Sequence, residues 1–106
     1  MNTTIKNTMY EFKFEDGTSE NLTLAFYALY QLKAKNKGLY DEYNRVMTKG
    51  ATDELDMITV LYAAYLCANI ADISGCMGIE EFRMKCGSDR YAIKEAMEAL
   101  VKAKKR

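Results

Sequence analysis

The sequence predicts a mainly α protein, a small helical bundle of about five helical segments with a short N-terminal β-hairpin. Three features carry that expectation. Asp53 to Asn69, DELDMITVLYAAYLCAN, is apolar on almost every face of a helix. Only a helix at the centre of a bundle, or one shared with another chain, tolerates that pattern in water. Tyr10, Phe12 and Phe14 alternate with Glu11, Lys13 and Glu15 ahead of Asp16-Gly17, which is the period and turn chemistry of a hairpin strand. The chain has no proline, and its six glycines stand singly at turns and helix ends, so the helical patterns run without an internal breaker.

Taken in order, residues 1–8 are polar and expected to fray. Residues 9–24 form the hairpin: a strand through Tyr10, Phe12 and Phe14, a turn at Asp16-Gly17, and a return strand at Asn21-Leu22-Thr23-Leu24. Two strands alone are marginal in water, so the hairpin must lean on helices or pair with another chain. Residues 24–104 are helical. The first helix places Leu24, Tyr27, Ala28 and Leu32 on one face, with Phe26, Leu29 and Tyr30 beside them. Lys33, Lys35 and Lys37 load its C-terminal end, and Gly38 is expected to stop it. Leu39 to Lys49 is a shorter helix with Tyr40, Tyr43, Val46 and Met47 apolar, closed by Gly50.

The central helix runs from about Thr52 to Asn69. Leu55, Ile58, Tyr62, Tyr65 and Leu66 form its stripe, with Met57, Val60, Leu61, Ala64 and Ala68 on the flanks. Thr52 or Asp53 caps it, and Asp53, Glu54 and Asp56 complement its N-terminal dipole. Ala71 to Gly78 reads as a loop because two glycines and a serine break the pattern. Ile79 to Cys86 is a short helix presenting Ile79, Phe82 and Met84 or Cys86. Gly87-Ser88-Asp89 supplies a stop and a new cap, and Arg90 to Lys104 is the last helix, with Ile93, Met97, Leu100 and Val101 apolar.

At 106 residues, 49% hydrophobic and 28% charged, the chain has the size and composition of one globular domain. Fifteen basic and fifteen acidic side chains cancel, which argues against a broad basic face for duplex binding. The three cysteines, Cys67, Cys76 and Cys86, are odd in number and widely spaced, and there is no histidine. A disulfide framework or a zinc site is therefore not expected, and free thiols in a reducing cytosol are. The N-terminus lacks the apolar run of a signal peptide. The central helix is too short, and too acidic at its start, to span a bilayer. These features predict a soluble, intracellular protein with no membrane partner and no cofactor.

Little in the chain suggests catalysis. No imidazole is available as general base or as a partner to a cysteine nucleophile, and no glycine-rich phosphate loop is present. The carboxylate pairs Asp41-Glu42, Asp53-Glu54 and Glu80-Glu81 all fall in first turns of expected helices, where the helix dipole accounts for them. The eight tyrosines and seven methionines are more informative. Tyrosines beside Lys33, Lys35 and Lys37 have the chemistry to stack bases. The simpler arrangement is a core rim with rings inward and hydroxyls in water. A third role is an adaptable protein–protein surface, for which tyrosine and methionine are favoured. The candidate partner contacts are Tyr40, Tyr43, Met57 and Tyr62. Tyr65 is assigned to the core, and Tyr62 belongs there too if it points inward. Four of the last five residues, Lys102 to Arg106, are basic, which makes Arg90 to Arg106 a basic helix.

In order along the chain, YEFKFEDG, LTLAFYALYQLKAKN, YNRVMTKG, DMITVLYAAYLCAN and EEF resemble the small tail assembly chaperones of long-tailed bacteriophages and prophages. The resemblance runs from about Tyr10 to Phe82 and rests on ordered aromatic and apolar positions; LYAAYLCAN followed by EEF is its most specific part. After Phe82 the stretch RMKCGSDRYAIKEAMEALVKAKKR departs from the acidic, leucine-rich sequence such proteins often carry. The resemblance implies binding to the apolar, helix-rich tape measure protein, which is held soluble until tail tube subunits polymerise around it. Contact with the tail tube protein and self-association as a homo-oligomer are further expectations. It places the protein in the cytoplasm of the bacterial host and leaves it out of the mature virion. In this family a longer form often arises by ribosomal frameshifting, for which Lys104-Lys105 is a candidate codon run. The alternative function is a small helical nucleic-acid-binding regulator using the basic C-terminal helix.

Overall fold

A computed structural model describes residues 9–104. The stretch expected to fray, residues 1–8, lies outside them, as do Lys105 and Arg106. The protein is mainly α. Two strands, β1 (Met9–Lys13) and β2 (Ser19–Thr23), precede α1 (Phe26–Lys35), α2 (Lys37–Lys49), α3 (Glu54–Ala68), α4 (Ile79–Cys86) and α5 (Arg90–Lys104). A 3-10 segment, Ile70–Gly75, links α3 to α4.

β1 and β2 pair antiparallel with Met9 opposite Thr23 and Lys13 opposite Ser19. Asp16 shapes the turn by accepting from the Thr18 amide at 2.9 Å and its hydroxyl at 2.6 Å. Phe12, Phe14, Leu22 and Leu24 are buried while Glu11, Lys13 and Glu15 are exposed. The hairpin therefore spends its alternating face on the helices, which a free two-stranded ribbon has no means to do.

The expected end of the first helix is corrected. Asn36, not Gly38, separates α1 from α2: its amide donates to Leu32 O at 2.7 Å, and its side chain accepts from the Leu39 amide at 3.2 Å. One residue thus closes one helix and caps the next, and Gly38 lies inside α2. Asp41-Glu42 consequently sits beyond the first turn of α2. α1 begins at Phe26, later than Thr23. Gly50, at φ +92°, ends α2 with its amide on Val46 O at 2.7 Å.

α3 is the axis of the fold. Its neighbours are β2, α1, α2, α4, α5 and the 3-10 segment, and every residue from Ile58 to Cys67 is buried. Bundle centre, not shared helix, is the reason for its all-round apolarity. Leu55, assigned to the apolar stripe, is 55% exposed. That turn is capped reciprocally: Asp53 accepts from the Asp56 amide at 3.0 Å, while Asp56 accepts from Thr52 N at 3.0 Å and Oγ1 at 2.8 Å. Part of the stretch expected to be a loop, residues 71–78, is instead the 3-10 segment, with a break at Asp72. α4 and α5 have the expected bounds.

An aromatic cluster holds the hairpin, α3 and α4 together. Phe82 lies edge-on to Phe14 at 5.6 Å, stacks on Tyr65 at 5.3 Å and meets Tyr62 at 5.3 Å. Among the described residues no helix is long and apolar enough to cross a membrane.

Candidate functional site

The four candidate contacts are not brought together. Tyr62 is only 8% exposed, and its hydroxyl donates to Met77 O at 2.9 Å. By pointing inward it becomes core, which corrects its assignment as a partner contact. Tyr65 does the complementary job, accepting from the Met77 amide at 3.0 Å. The two phenols therefore satisfy both backbone groups of one linker residue, and neither hydroxyl is a free rim group. Burial pushes the Tyr65 phenol up to about 12.

Tyr43 is likewise buried, its ring against the α2–α3 interface with its phenol pushed well up by desolvation. It forms the floor of a groove. Tyr40 is half-buried in the wall of that groove, 5.9 Å from the Tyr43 ring. Met57 is half-buried elsewhere, in a second groove between α3 and α5 that it lines with Met97 and Val101.

The first groove runs between α1 and α2 and encloses about 410 Å³. α1 lines it with Phe26, Leu29, Tyr30 and Lys33. α2 lines it with Tyr40, Tyr43, Asn44 and Met47. Each set is spaced i, i+3, i+4, i+7, the single-face spacing of an α-helix. Leu29 and Tyr43 form the floor. Phe26 and Tyr30 stand at the rim, 73% and 80% exposed. Both rings are thus largely exposed and forgo part of the burial that usually stabilises aromatic side chains. Lys33 lies over the Tyr40 ring at 5.6 Å.

Sequence reasoning named Tyr40 and Tyr43 but passed over Phe26, Tyr30, Lys33 and Met47 as contacts. A signal was present: α1 carries more large apolar side chains than one buried face can take. Tyr27, placed on the buried face, is 56% exposed.

The thiols offer no activated nucleophile. Burial pushes Cys67 up to about 12 and Cys86 up to about 11, so both stay protonated at neutral pH, and the thiolate is the reactive form. Among the described residues no three His, Cys, Asp or Glu side chains gather as a metal site. No protein-family model, curated protein or solved structure matches the chain significantly.

Proposed function

We propose that the protein is a tail assembly chaperone of a long-tailed bacteriophage or prophage, which binds the apolar tape measure chain and keeps it soluble during tail assembly. The observation that carries the reading is the aromatic groove between α1 and α2, with Phe26 and Tyr30 held in water at its rim. An apolar groove between two helices is suited to receive an amphipathic helix, and the partner that the resemblance implies is a long, apolar, helix-rich chain. The ordered motifs from Tyr10 to Phe82 support the same reading. On it the protein works without catalysis or cofactor, in the host cytoplasm, and leaves before the virion matures. Contact with the tail tube protein, self-association and a frameshifted longer form belong to the same proposal.

The test is co-expression with the long, apolar-rich open reading frame expected downstream of a chaperone gene. The expected outcome is that the long chain becomes soluble only with this protein present and that the two co-purify. A long chain indifferent to it would overturn the reading. Binding to DNA or RNA that weakens steeply across a salt series would favour the regulator instead. Against the regulator, Arg90 pairs with Glu54 at 3.3 Å, and Glu95 and Glu98 dilute the positive charge of α5.

A further inference from the structure

We infer that the α1–α2 groove receives a single amphipathic helix that carries a carboxylate beside its apolar stripe, positioned to meet Lys33. The inference rests on the chaperone reading and deepens it by naming the docking surface and the charge its partner must bring. Two observations carry it beyond an unassigned apolar face.

The first is geometric. Two helices present facing stripes of the same spacing, Phe26, Leu29, Tyr30 and Lys33 against Tyr40, Tyr43, Asn44 and Met47. A third helix laid along them would find knobs on both sides, as in a three-helix arrangement with one member missing. Each stripe covers eight residues, so the groove matches roughly two to three turns of a partner, about 12 Å at 1.5 Å per residue.

The second is electrostatic. α1 contains no acidic residue, and among the described residues Lys33 has no carboxylate partner. The acids of α2 are already engaged, Asp41 with Lys37 at 2.9 Å and Glu42 with Arg45 at 3.1 Å. The single charge on the groove wall is therefore positive and faces no competing anion. An approaching acidic side chain gains attraction there, and a basic one is repelled. The α3–α5 groove lacks this selectivity, because Lys94, Glu98 and Lys102 line it with both signs. A second copy docking its own α1 there would bring lysines and no carboxylate, so the charge disfavours a symmetric α1-to-α1 contact.

The experiment uses two synthetic amphipathic peptides with the same leucine stripe, one flanked by glutamates and the other by lysines. Binding to the full chain is followed by fluorescence anisotropy. The glutamate peptide is expected to bind more tightly. Lys33→Glu should reduce or reverse that preference by about fivefold or more, the scale of an exposed charge reversal. Tyr30→Ser should weaken the glutamate peptide by about tenfold, as loss of an aromatic anchor does. Both side chains are exposed, so circular dichroism should show both variants folded. Equal binding of the two peptides, or preference unchanged in Lys33→Glu, overturns the inference. Dimerisation of the wild type that Tyr30→Ser abolishes would also overturn it, assigning the groove to a second copy. In the co-expression assay, a long chain kept soluble equally by wild type and Tyr30→Ser would sink the groove while sparing the chaperone reading. A long chain indifferent to the wild type would sink the reading, and the peptides would still decide the groove.

Discussion

Eight tyrosines share one chemistry but take opposite roles, and stability measurements should separate them. Tyr65→Phe removes the acceptor of the Met77 amide at 3.0 Å and leaves a part-buried donor unsatisfied, which costs about 1–3 kcal/mol. Tyr62→Phe removes a donor to Met77 O and should cost about 1 kcal/mol. Tyr30→Ser, on an exposed ring, should stay within about 0.5 kcal/mol of wild type. Urea unfolding monitored by circular dichroism checks all three, and equal losses would contradict the division. Of these roles, only the core placement of Tyr65 was read from the sequence. Tyr30 and Tyr62 both sit on apolar helical stretches, and only the neighbouring elements distinguish them.

The elements dock through a corner where hairpin and helices meet. Glu15 accepts from the Ser88 amide at 3.0 Å, and Lys85 reaches Asp16 at 3.6 Å while lying over Phe14 at 5.1 Å. Gly87 makes this approach feasible: it stands at φ +69°, and a Cβ there would collide with the Glu15 carboxylate. Gly87→Ala should therefore destabilise the protein by about 1–3 kcal/mol, combining left-handed backbone strain with the clash. Adding Glu15→Ala removes the clash but not the strain, so thermal unfolding of the double variant should show no full recovery. Gly87-Ser88-Asp89 was readable as a stop and cap, and Ile79 to Cys86 and Arg90 to Lys104 were readable with their bounds. The packing of Glu15 on Gly87 was not, because 72 positions separate them in the chain. Asn36 shows a different limit: a strong cap and a nearby glycine compete as helix punctuation, and hydrogen bonding chose the asparagine.

For the molecule as a whole, burial couples stability to alkaline pH. Burial raises Cys67 from an ordinary 9.0 to about 12, Cys86 from 9.0 to about 11, and Tyr65 from 10.0 to about 12. Above pH 9 the unfolded chain loses these protons before the folded one does, so the folded state binds more protons and stability falls with rising pH. The contribution is complete below pH 9 and disappears as pH climbs through about 11 to 12. The urea midpoint should therefore hold between pH 7 and about 8.5 and decline by pH 10.5; an unchanged midpoint at pH 10.5 would contradict the burial of these groups. The acid side has the opposite sign. Hydrogen bonds from Thr18 and Thr52 lower Asp16 and Asp56, so their contribution is present above the ordinary 3.8 and is lost as pH falls through their lowered values.

Local pattern was enough to establish the mainly α class, the hairpin before the helices, and α3 as the most apolar element. Periodicity, turn dipeptides and caps act over a few residues, and the chain states them directly. The tertiary structure alone decided which apolar side chains are spent on the core and which remain in water. α3 disappears behind its neighbouring elements, whereas α1 is covered on one side and keeps Phe26, Tyr30 and Lys33 exposed on the other. Burial is a property of what packs across space, and a helix's own sequence does not contain the shape of the elements that cover it.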